Sequence, residues 1–101
     1  MNNLINIDFN KARQQADRLE ALANELDNLT QNDYVSAMEQ VRSGWKGEAS
    51  DQFLAKGGVL ENDLRGTVEN MRKVVANIRD MVTKVERAQQ LAQAVVRKKN
   101  T

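Results

Sequence analysis

Apolar side chains recur at helical spacing along almost the whole chain, in two stretches that meet near residue 45. In the first, small or apolar residues fall at Ala12, Ala16, Leu19, Ala23 and Leu26, with Leu22 and Leu29 widening the stripe. The phase slips near Thr30 to Asp33 and resumes at Tyr34, Met38, Val41 and Trp45. Such a slip resembles a stutter, which a continuous helix can absorb. A short break around Asn32-Asp33 is the competing reading. In the second stretch, Leu60, Leu64, Thr67, Met71, Val74, Ile78, Met81, Val85, Ala88, Ala92 and Val95 follow alternating steps of four and three, the spacing of a coiled-coil seam. Beside it runs a line at seven-residue spacing, Val68, Val75, Val82 and Val96, with Gln89 filling the gap.

The pattern predicts an all-α chain forming one domain over residues 1–101, with helix 1 at about 8–43, a turn at 44–47 and helix 2 at about 48–97. Asp8 suits an N-cap, and Glu48 suits the first turn of the second helix. Arg42 fits a last turn, and Gly44 fits the left-handed position just past a helix end. Trp45, the only tryptophan, is placed to pack across both segments, while Gly47 lets the backbone turn tightly. Gly57-Gly58 and Gly66 each cost about 1 kcal/mol inside a helix, so a bend, fraying or close backbone contact is expected there.

Two helices of these lengths measure roughly 50 and 75 Å at 1.5 Å per residue, and an antiparallel pair of them has little core of its own. In a lone two-helix hairpin the valine line is expected to lie exposed, which monomers avoid. Pairing into a four-helix bundle dimer removes the exposure. The candidate helix–helix and dimer interface is therefore Leu19, Leu22, Leu26, Leu29, Leu60, Leu64, Val68, Met71, Val75, Ile78, Val82 and Val85.

Composition narrows the chemistry. The chain has no proline, cysteine or histidine, so long helices are permitted and neither thiol nor imidazole chemistry is available. No metal or cofactor is expected. Carboxylates such as Glu20, Asp27, Asp80 and Glu86 alternate with Arg and Lys at helical spacing, the mark of a solvated, ion-paired face, and no nucleophile–base constellation accompanies them. Catalysis is not expected. Fifteen basic residues against fourteen acidic ones leave +1, too balanced to suggest nucleic acid as a partner. Along the chain the imbalance is mild: residues 1–47 carry five basic and seven acidic groups, and residues 48–101 ten and seven. Arg97-Lys98-Lys99 complements a helix C-terminal dipole. No apolar run approaches the roughly 20 residues of a membrane span. Met1 to Ile7 lacks the basic and long apolar regions of a cleavable signal, so the chain is expected to be soluble as made and not stably inserted in a membrane.

The segment Trp45-Lys46-Gly47-Glu48-Ala49-Ser50-Asp51-Gln52-Phe53 has a small residue, Ala49, two after the glycine and an aromatic, Phe53, eight after the tryptophan. With a chain of about a hundred residues and a central turn between two helices, it resembles the WXG-100 (ESAT-6-like) family of type VII secretion systems. The resemblance covers nearly the whole chain. It implies a hairpin with Trp45, Gly47, Ala49 and Phe53 as its turn motif. It also implies a non-enzymatic protein exported without a cleavable signal, or held in the cytoplasm as a partner or chaperone before export. The implied partners are itself, a homologous hairpin, an LXG-type toxin for which the chain acts as adaptor, and a secretion ATPase. One departure stands out. The family's Tyr-x-x-x-Asp/Glu export signal after helix 2 is missing, since the only tyrosine is Tyr34 and nothing after Phe53 is aromatic.

Overall fold

The structure, a computed structural model, describes residues 8–100. The signal-peptide reading of Met1 to Ile7 lies outside them. Asp8 has extended backbone angles, and its carboxylate accepts from the Lys11 amide at 2.9 Å, satisfying one of the orphan donors of the first turn. From there α1 (Phe9–Asn28), a π-helical turn (Leu29–Tyr34) and α2 (Val35–Gly44) run as one continuous first arm. The backbone at Asn28, Leu29, Tyr34 and Val35 stays in the right-handed helical region, so the phase slip is absorbed without a break. α3 (Glu48–Asn100) forms the second arm and extends past the expected end at 97. No strand occurs among the described residues, and the chain is all-α.

Residues 45–47 reverse the chain. Trp45 is extended and its amide donates to the Val41 carbonyl at 2.9 Å, closing α2. Gly47 has φ +115°, the only positive φ among the described residues, and both the Ser50 hydroxyl and the Asp51 amide donate to its carbonyl. A Cβ on Gly47 would meet nothing within 4 Å, so backbone conformation rather than space calls for glycine. The left-handed position expected at Gly44 is thus taken three residues later, and Gly44 is simply the last residue of α2.

The first arm lies antiparallel along α3. Arg13 stands opposite Glu86, Arg79 opposite Glu20 and Arg72 opposite Asp27. In this register Ala16 is level with Val82, Ala23 with Val75 and Thr30 with Val68, and all six are buried. Alanines with 0% exposure let the helix axes approach closely, and the valines of α3 fill the space between. Thr30 turns its hydroxyl onto the Leu26 carbonyl at 2.7 Å and so enters the seam without an unpaired polar atom. The valine line expected to be exposed is therefore, from Val68 to Val82, the centre of the seam. Only Val96, beyond the reach of the first arm, is exposed.

The π turn corrects the phase. Ala16, Ala23 and Thr30 are spaced by seven, but the next buried residue is Met38, eight further on. One extra residue per turn absorbs that step and keeps Met38 facing α3. There it lies against Gly57, where a Cβ would come within 2.0 Å of its terminal methyl. Close contact is thus what the glycine pair contributes, at Gly57. Gly58 faces open space, and both are inside a continuous helix.

Candidate functional site

The seam has two flanks of opposite character. On one, the rows beside Ala16 and Val75 are charged. Arg13 bridges to Glu86 at 2.7 Å. Arg79 reaches both Asp17 at 2.7 Å and Glu20 at 3.0 Å, and Arg72 reaches Asp27 at 3.1 Å and Asn24 at 3.2 Å. Hydrogen bonds from Arg79 to Glu20 and from Arg13 to Glu86 hold both carboxyls below the ordinary range. Asp27 is lowered by Gln31 first and Arg72 second, and Arg13 and Arg79 are raised in turn. The helical ion-pair reading holds for Lys84 with Asp80 and Arg65 with Glu61. Glu20, Asp27 and Glu86 differ: they pair across the arms, because the antiparallel docking brings Arg79 and Arg72 of α3 level with Glu20 and Asp27, and Arg13 of α1 level with Glu86.

The other flank is apolar. Ala12, Leu19 and Leu26 of α1 border the seam and are half-buried, as are Leu64, Met71, Ile78 and Val85 of α3. One row further out, Leu22 and Leu29 on α1 are exposed, with Leu60, Val74 and Met81 on α3. Val74 is 46% and Met81 64% exposed. Two shallow depressions mark this flank. One lies over Leu22, Leu26 and Leu29 beside Glu25. The other is a groove of about 410 Å³ next to the turn, lined by Tyr34, Ala37, Met38, Val41, Phe53, Lys56, Gly57 and Leu60. The Tyr34 hydroxyl donates to the Gly57 carbonyl at 2.6 Å and ties the arms together at its floor.

Of the interface residues expected from sequence, Leu19, Leu22, Leu26, Leu29, Leu60, Leu64, Met71, Ile78 and Val85 share this single flank. Val68, Val75 and Val82 do not; the first arm already covers them. Sequence reasoning missed the groove. Its signal was the eight-residue step from Thr30 to Met38, which turns Tyr34 and Val41 toward the flank. Of the turn motif, Trp45 is 59% exposed and meets Phe53 with ring centroids 6.0 Å apart and tilted by 52°. It reaches the second segment through that ring without being buried as a core anchor. Ala49 is exposed.

Among the described residues no cluster of acidic side chains is placed to hold a metal ion, and no buried side-chain polar atom lacks a partner. No helix among them is long and apolar enough to cross a membrane. Comparison with protein-family models, curated proteins and solved structures finds no match for this chain.

Proposed function

We propose that the chain is a non-enzymatic helical interaction protein, a hairpin of the WXG-100 kind closed by its Trp-x-Gly turn, serving a type VII secretion system as an exported subunit or partner. The observation that carries the reading is the apolar flank. Leucines, Val74 and Met81 extend along most of the paired arms, while the opposite flank saturates its own charges. A contiguous apolar surface on a thin rod calls for further helices, and two more complete a four-helix bundle by helix-in-groove packing. The Trp45-Lys46-Gly47 turn and its Phe53 contact support the family reading.

Export gives the test. A tagged chain expressed in its source strain is expected in the culture medium, and deleting the type VII ATPase is expected to hold it in the cells. Equal release with and without that ATPase refutes the secretion assignment. Binding to a helical partner that is unchanged by Leu26→Lys refutes the flank as the docking surface.

A further inference from the structure

We infer that the groove beside the turn is a ligand site for a free single-chain carboxylic acid, with the alkyl chain lying between the arms and the carboxylate on Lys56. The site needs only one copy of the chain and is independent of the secretion assignment.

Small residues and the π turn open the space. Met38 lies low in the seam because Gly57 has no side chain; a Cβ there would collide with its methyl group. Ala37, beside it on α2, adds only a methyl group to the wall. The extra residue of the π turn brings Tyr34 and Val41 round to the same opening. The result is a concavity of about 410 Å³, within the roughly 300–1,000 Å³ of small-molecule sites. Along α3 it runs from Phe53 to Leu60, about 10 Å by helical rise. The hydrogen bond from Tyr34 to the Gly57 carbonyl, 2.6 Å, fixes its floor before any ligand arrives.

The lining narrows the ligand. Its walls are apolar, and the Gly57 carbonyl at the floor already accepts from Tyr34. An apolar body therefore gains from burial there, while a polar one finds little to pair with. Lys56 is the one charged residue among those that line the groove. Its neighbours three and four residues away are Gln52, Phe53, Val59 and Leu60, so no carboxylate stands where a helical ion pair would form. Arg65 with Glu61 and Lys84 with Asp80 show that usual pairing on the same helix. Lys56 makes no ion pair among the described residues. It is exposed while lining the wall, so its stem extends the apolar surface and its ammonium stays at the mouth, within reach of an acid whose chain lies below. The depression over Leu22, Leu26 and Leu29 has the opposite sign at its border, Glu25, and disfavours an acid. A space of about 410 Å³ holds one short chain and not the two of a membrane lipid.

Trp45, the only tryptophan, has its ring 6.0 Å from that of Phe53, which lines the groove, so its emission reports occupancy without a label. Decanoate, titrated below its micelle concentration, is expected to shift that emission saturably and to move the amide resonances of Tyr34, Ala37 and Gly57. Octanoate, shorter by two methylenes, should bind about tenfold more weakly. Decyltrimethylammonium, with a like chain and the opposite charge, should also bind at least tenfold more weakly, and Lys56→Glu should reverse that preference. Ala37→Leu, at an exposed position, fills the groove and should abolish binding of both amphiphiles, with circular dichroism showing the helices intact. A folded chain whose emission and amides are unmoved by decanoate overturns the inference. Equal binding of the two amphiphiles, or amide shifts centred on Leu22 to Leu29, overturns it as well. Flotation with phosphatidylglycerol vesicles, lost in Lys56→Glu, by a chain that ignores decanoate assigns the groove to a membrane lipid and overturns the free acid.

Discussion

The two flanks of the seam are built on the same pair of helices, at the same spacing from the same buried rows, yet they end in opposite states. On the charged flank Arg13, Arg72 and Arg79 find carboxylates on the other arm, so the flank is satisfied within one chain. On the apolar flank Leu22, Leu29, Val74 and Met81 remain in water. The charged flank sets the register of the arms. The apolar flank is left for something else to cover. The difference teaches that a thin helical pair can finish its fold on one side and keep the other as an interface.

The largest effect is expected where both flanks depend on the shared seam. Val75→Asp puts a carboxylate between the arms beside Ala23, while the neighbouring Arg72 and Arg79 are already engaged by Asp27 and by Asp17 and Glu20. A loss of about 3–5 kcal/mol, enough to unfold a domain of this size, is expected in urea melts followed by circular dichroism. A stable, fully helical variant would remove the seam from the account.

Next comes the apolar flank alone. Val74→Lys with Met81→Lys should leave the isolated chain's stability within about 0.5 kcal/mol, because both sites are solvent-facing. Association measured by sedimentation should fall at least tenfold. If the melting curve drops as far as the association does, the two flanks are not separable.

Smaller still is the expected effect of deleting Asn32, an exposed residue in the π turn. Removing one residue converts the eight-step from Thr30 to Met38 into the seven-step of a regular helix and keeps Met38 against Gly57. Stability is expected to stay within about 1 kcal/mol, and a collapse comparable to Val75→Asp would show that the turn does more than correct the phase.

The charged flank gives the smallest change. Glu20, Asp27 and Glu86 are held below their ordinary values of 4.5, 3.8 and 4.5. A depressed folded-state pKa contributes stability that is present above the unfolded value and lost as pH falls through the folded one. The melting temperature should therefore be flat at neutral pH and fall slightly as pH drops below about 4.5. Arg79→Gln should flatten that acid slope, since it removes the main partner of Glu20. These groups are only partly buried and so still screened by water, and salt should shrink the effect.

The sequence by itself determined the helices and the reversal. Periodicity at 3.6, the absence of proline, Asp8 at one helix start and a glycine free to adopt positive φ are local properties, and local physics decides them. It also laid three adjacent apolar rows along α3, and spacing alone put the Val74 and Ile78 rows in the seam and left the Val75 row exposed. Only the tertiary structure reversed that order. Burial belongs to two surfaces that meet, and the alanines of α1 admit the valine row to the centre, half-cover the Ile78 row and leave the Val74 row in water. The same docking brought Arg79 to Glu20. Those arrangements depend on residues far apart in the chain, level with one another only once it has folded back.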